Sequence, residues 1–195
     1  MKETRKTILQ KAFVIFLKKG YHGTSITDIQ QGLDIGRATL YHHFRNKEDL
    51  FIAIIDELYM SMGNDAQDQT TSEMTINELI VHLKKKLYDE ATWLKDQKIG
   101  LIDFFMLSAE ALRLKPDYLA LSDKVHEKAV AIWSGAIINS IEKNEVRSDI
   151  DVTATARLFV YVRHGIGVIS NSQDLERGIA EVQSGYESIY QLIKK

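Results

Sequence analysis

A chain of 195 residues, 45% hydrophobic and 27% charged, is long enough to bury a sizeable core and too apolar to stay disordered throughout. It has no cysteine, which excludes disulfides, thiolate nucleophiles and thiolate metal sites and fits a reducing cytoplasm. The net charge of −2 hides an asymmetry: residues 1–48 carry nine Lys and Arg against four Asp and Glu, whereas residues 49–195 carry sixteen against twenty-three. A basic head of +5 on an acidic body of −7 suits a DNA-contacting end on a body that phosphate repels, although a solvated basic helix has the same composition.

The opening MKETRKTILQKAF alternates charged and apolar residues, so no secretory leader is expected, and no later stretch reaches the roughly 18 apolar residues of a membrane span. A cytoplasmic protein without membrane attachment is expected. One proline in the whole chain, Pro116, and few alternating β-branched runs predict an all-α fold. Ile8, Ala12, Phe13, Phe16 and Leu17 line one face of a first helix, which Gly20 ends. Ser25 and Asp28 have capping-box spacing for a short helix from Ile26 to about Leu33, and Asp34 with Gly36 supplies a turn. A third helix is predicted from Arg37 to Phe44. Asn46 and Asp49 cap a fourth, which carries Leu50, Ile54, Ile55 and Leu58.

The polar stretch 63–74 reads as a frayed helix end and a linker between head and body. Thr75 and Glu78 repeat the capping-box spacing for a helix through Leu79, Leu83 and Leu87, and an apolar segment follows from Ile99 to Leu114. Pro116 fits the first turn of a long helix through Trp133 to about Lys143, and two more helices finish the chain. In the last of these, Leu175, Ile179, Val182, Tyr186, Ile189 and Ile193 recur at four-three spacing, as in a coiled-coil seam. Ala154, Leu158, Tyr161, Gly165 and Val168 repeat the pattern in the helix before it, with Gly165 read as a point of close backbone approach. The alternative is that these stripes pack inward against the body.

Residues 25–44 have the parts of a helix-turn-helix: two short helices, a tight turn, and a second helix slim enough for a major groove because Ala38 keeps its start small. Leu40 and Phe44 are expected to pack inward, leaving Thr39, Tyr41 and His42 toward DNA. The runs Gly-Tyr-His-Gly-Thr-Ser-Ile-Thr-Asp-Ile at 20–29 and Ile-Gly-Arg-Ala-Thr-Leu-Tyr-His-His-Phe-Arg-Asn-Lys-Glu-Asp-Leu at 35–50 resemble the signature of the TetR (tetracycline repressor-like) family of bacterial transcriptional regulators. Gln30 and Leu33 stand where that pattern usually has small alanines, and Asp34 where it usually has glycine.

The resemblance implies that Arg37, Thr39, Tyr41 and His42 contact DNA from the recognition helix, with Thr24, Ser25 and Thr27 near a phosphate. Lys47 would complete the grip from the first turn of the fourth helix, where helix N–H groups add to its charge. Read from the residues alone, Tyr41 and the histidines could instead pack at a helix junction, and Arg37 and Lys47 could be solvated. Adjacent helical residues point about 100° apart, so His42 and His43 cannot readily chelate one ion.

The implied organisation is a three-helix head at 1–48, with a connecting helix from about 47, and a ligand-binding and dimerisation domain at 49–195. Homodimerisation through the last two helices would use Leu158, Tyr161, Gly165, Val168, Leu175, Ile179, Val182, Tyr186 and Ile189. Trp93, Phe104, Phe105, Met106, Tyr118, His126 and Trp133 could line a pocket for an unidentified small molecule, or be plain core. No H-E-x-x-H, phosphate loop or nucleophile elbow is present, and Gly165-Ile-Gly167 lies in a helical run, so no catalytic residue, metal or cofactor is expected. The function expected is a repressor released from a palindromic operator by a small molecule. The alternatives are a constitutive DNA-binding protein and a helical enzyme that uses the body's Asp, Glu and His residues.

Overall fold

The structure, a computed structural model, describes residues 5–65, 71–97, 99, 101–169 and 175–195. Among them the chain forms nine helices: α1 (Arg5–Gly23), α2 (Ile26–Leu33), α3 (Arg37–His43), α4 (Lys47–Asp65), α5 (Ile76–Asp96), α6 (Leu101–Leu114), α7 (Tyr118–Glu142), α8 (Val152–Ile169) and α9 (Leu175–Ile193). The all-α expectation holds. No helix of the described residues is long and apolar enough to cross a membrane.

Local chemistry sets most of the helix ends. Ser25 caps α2 by accepting from the Asp28 N–H at 3.1 Å, while the Asp28 carboxylate accepts from the Ser25 N–H at 2.8 Å. Asp34 ends α2 in the left-handed region at φ 53°, and its N–H returns to Gln30 and Gln31. Among non-glycine residues aspartate is one of the few that tolerate this conformation, so Asp34 does the work of the glycine usual at that position. Gly36, by contrast, is extended at φ −68°, and a Cβ there would meet nothing within 4 Å. Of the two residues expected to supply the turn, Asp34 therefore carries its unusual backbone and Gly36 does not.

Asn46 caps α4 through its side-chain oxygen and the Asp49 N–H at 2.7 Å. The Thr75 N–H donates to Glu78 at 2.7 Å, completing the second box. Pro116 stands at the mouth of α7, where its carbonyl accepts from the Leu119 N–H at 2.9 Å.

Two hydrophobic cores hold these helices. The first joins Ile8, Phe16 and Leu17 of α1 to Ile29, Leu40, Leu50, Phe51 and Ile55, and continues into the body through Ile99, Leu107, Ala111 and Tyr118. It thus runs across the 48/49 boundary expected from charge and motif, since α4, α6 and the start of α7 complete the head's core. The second core packs Ile76 and Leu79 of α5 against Val130, Trp133 and Ile137 of α7, Phe159 and Val160 of α8, and Val182, Tyr186, Ile189 and Ile193 of α9. Helix α7 belongs to both: Leu121 and Val125 pack on the first core, and residues from Ala129 onward on the second.

The apolar stripe of α9 therefore faces inward. Ile179, Val182, Tyr186 and Ile189 are at most 9% exposed in the single chain, so they are core residues and not a surface seam. The physical reason is that α5, α7 and α8 together offer more apolar surface than three helices can cover alone, and α9 closes it. The four-three spacing registers one buried face without saying whose residues bury it. Close approach between α8 and α9 falls at Gly185, where an added Cβ would lie 2.5 Å from Val162 Cγ1, and not at Gly165, where it would meet nothing within 4 Å.

Candidate nucleic-acid interface

The head is built outward from α1. Leu40 and Phe44, at 1% and 3% exposure, anchor α3 on the first core, and their four-residue spacing leaves the opposite face of this short helix in solvent. Arg37, Ala38, Thr39, Tyr41 and His42 are all exposed there. The Arg37 guanidinium lies 5.5 Å from the centre of the Tyr41 ring, one turn along, and the His42 and His43 rings meet edge-on at 5.0 Å. At the far end of α3 the Arg5 guanidinium lies 5.3 Å above the Phe44 ring, bringing a cation of α1 beside the recognition helix, which the sequence reading missed. Guanidinium, hydroxyl, phenol and imidazole groups on one slim helix are donors and acceptors that suit base edges and phosphates.

The expected phosphate-side residues are placed differently from one another. Thr27 is exposed. Thr24 is 1% exposed, and its hydroxyl donates to the Gly20 carbonyl at 2.7 Å. The Ser25 hydroxyl is taken up by the capping box, and Asp28 also receives the Lys19 ammonium. These hydrogen bonds hold the Asp28 carboxyl well below the usual carboxylate range. Lys47 donates to the carbonyls of Tyr21 at 2.9 Å and Thr24 at 3.0 Å, and its ammonium sits 4.3 Å from the Tyr21 ring centre. Burial, with Glu48 and Glu110 nearby, raises the Tyr21 phenol, so the ring stays neutral.

Polar contacts tie α1 and α4 to α6 and α7 beside the shared core. His22 lies 2.8 Å from Glu110 of α6, and the Tyr118 hydroxyl at the start of α7 donates to Asp56 of α4 at 2.5 Å. No sequence signal announces these pairs, because their partners lie 88 and 62 residues apart.

The described residues expected to line a pocket do not converge. The side chains of Trp93 and Phe104 lie outside the described residues, as do those of Val168 and Leu175. Trp133 is 4% exposed and stacks on Phe159 at 4.2 Å with the rings 9° apart, which is close core packing. Tyr118 serves the α4–α7 junction, Met106 is 64% exposed, and Phe105 is half-buried. His126 stacks at 5.7 Å on Tyr161 of α8. An open groove of about 430 Å³ runs between α5 and α9, lined by Ile80, Val81, Lys84, Ala180, Gln183, Ser184 and Glu187, none of them an expected pocket residue.

An exposed recognition helix seated behind α2, on a core that α4, α6 and the start of α7 complete, defines a helix-turn-helix DNA-binding transcriptional regulator. Residues 8–54 match the model of the bacterial regulatory proteins of the tetR family. The chain is 28% identical over 177 residues to the HTH-type transcriptional regulator UidR of Escherichia coli, spanning 89% of this chain and 85% of that protein. Over 52 residues, 27% of this chain and 28% of the other, it is 35% identical to IcaR, the negative transcriptional regulator of the biofilm operon icaADBC in Staphylococcus epidermidis. The fold matches a regulatory protein TetR from Rhodobacter sphaeroides, with a TM-score of 0.72, 18% identity, and 98% and 100% of the two chains covered. Over residues 8–54 the chain matches the tetR family, and the relative it resembles across most of its length is a transcriptional regulator. Regulators of this family bind operator DNA and typically dimerise.

Proposed function

We propose that the protein is a repressor that holds an inverted-repeat operator as a homodimer and releases it when a small molecule binds the body. The observation that carries this reading is the continuity of the first core, in which α1 and the helix-turn-helix share buried side chains with α4, α6 and the start of α7. A body rearrangement that moves α6 or α7 must then move the recognition helix or break that core. The expected contacts with DNA are Arg37, Ala38, Thr39, Tyr41 and His42 on α3, with Thr27 on the phosphate side.

For dimerisation the outward residues are the relevant ones. Leu158 and Tyr161 on α8 are 53% and 52% exposed, Gly165 leaves open space beside them, and Leu192 on α9 is 76% exposed. Apolar groups of this size left in water at successive turns support packing against a second copy. Two heads so joined read half-sites about one helical turn, roughly 34 Å, apart. The relatives are regulators, and IcaR is a negative one, which favours repression.

A small molecule shifts the equilibrium only through its different affinity for the DNA-competent and released states. A tenfold loss of operator affinity requires about 1.4 kcal/mol of coupling. The test is selection from a random duplex pool, followed by anisotropy titrations with the enriched duplex and a small-molecule library. An inverted repeat is expected, with at least one compound that weakens binding reciprocally. Failure of the wild type to enrich any duplex would remove the DNA-binding reading, whereas enrichment with no responsive compound would leave a constitutive DNA-binding protein.

A further inference from the structure

The ammonium of Lys47 is fully engaged within the protein, at a place where the backbone needs it. Helix α1 breaks at Gly20, which sits at φ 70° and ψ 167°, so the residues that follow leave the regular α-helical ladder. Carbonyls at the end of a helix lack partners and carry the negative end of its dipole. Thr24 supplies a hydroxyl to the Gly20 carbonyl, and Lys47, reaching back from the first residue of α4, supplies two N–H donors to the carbonyls of Tyr21 and Thr24. An ammonium has three donors, and the third side of this one is closed by the face of Tyr21.

Resting on the DNA-binding reading above, we infer that Lys47 is a positioning residue for operator recognition and not a phosphate contact. It clamps the kinked end of α1, and so the entry of α2, to the N-terminus of α4. Helix α2 in turn sets the recognition helix through Asp34, whose N–H is fixed to the last turn of α2. Loosening the clamp misplaces α3 by a rotation at its base. That costs the base-edge contacts, which require alignment, and spares the diffuse attraction to phosphate, which does not.

The two roles separate in salt. A cation that neutralises a phosphate adds about 0.9 to the slope of log affinity against log salt, and its loss weakens binding to all sequences alike. The experiment uses the full-length dimer, the duplex that the wild type enriches from a random pool, and a scrambled duplex, at a temperature where circular dichroism shows each variant folded. For Lys47→Met the positioning role predicts about a tenfold loss on the enriched duplex, less than twofold on the scrambled one, and an unchanged salt slope. For Lys47→Arg it predicts a loss in the same direction, because a planar guanidinium cannot direct three donors from one nitrogen onto two carbonyls and a ring.

A slope lowered by about 0.9 per subunit, with both duplexes weakened together, would establish a phosphate contact and overturn the inference. Wild-type affinity for the enriched duplex in either variant would overturn it as well, leaving only a contribution to stability. If Lys47→Met does not fold, Lys47→Arg alone decides, since a phosphate contact survives that exchange. A wild type that enriches no duplex would instead reject the DNA-binding reading on which the inference rests.

Discussion

Replacing Gly185 with alanine tests how tightly α8 and α9 are matched. The new Cβ would lie 2.5 Å from Val162 Cγ1, with Cγ2 at 3.5 Å, whereas ordinary contact begins at 3.4 Å, so the helices must separate or Val162 must turn by roughly 0.9 Å at that atom. Valine in a helix has essentially one comfortable rotamer, which closes the second route and leaves movement of the helices. Overpacking of this kind costs about 1–3 kcal/mol, while exchanging glycine for alanine inside a helix returns up to about 1 kcal/mol. The expected net effect is a destabilisation of about 1 kcal/mol.

In a Val162→Ala background the obstruction is gone, and the same exchange should stabilise by about 0.5–1 kcal/mol. The two backgrounds then differ by about 1.5–2 kcal/mol, within the range measured for residues in contact. Urea unfolding of the four proteins at one protomer concentration supplies the cycle, since the stability of an oligomer depends on that concentration. Equal stabilisation by Gly185→Ala in both backgrounds would refute the close approach.

Trp133→Ala should destabilise by about 3–5 kcal/mol in urea, because the ring is core packed on Phe159 and Tyr186; a loss below 1 kcal/mol would return it to the wall of a cavity. Leu158→Glu should leave the fold intact and shift sedimentation toward the monomer, whereas Ile179→Glu should lower the melting temperature because it puts a charge where the single chain is 97% closed to water. The reverse pattern would restore the α9 stripe as the seam between copies. Partial desolvation, with Arg163 and His126 nearby, lowers His164, so the unfolded chain takes up a proton there before the folded one does. Stability from neutral His164 is therefore complete above about pH 7 and lost as pH falls through about 6.5 toward the folded value. His164→Gln should lose less melting temperature than the wild type between pH 7.5 and 5.5, and parallel curves would contradict the assignment.

Local chemistry made much of this protein legible in the sequence. Capping residues at Ser25, Asn46 and Thr75 act within three or four residues of chain, so helix starts could be read directly, as could the inward turn of Leu40 and Phe44 from a period of four. The recognition helix is legible for the same reason: one buried anchor on its seven residues, Leu40, with Phe44 just past its end, leaves one exposed face. Periodicity does not encode which surface covers a stripe, and so the four-three repeat of α9 announced a buried face that only the assembled α5, α7 and α8 showed to be buried within the chain. The same holds for chemistry that spans distance. Lys47 reads as a free cation until the break at Gly20 turns two carbonyls toward it, and Trp133 reads as a pocket aromatic until Phe159 is laid flat against it. Residues close in sequence specify the elements and their exposed faces, but contacts between residues tens of positions apart depend on how all the helices pack at once, and only the tertiary structure decides those.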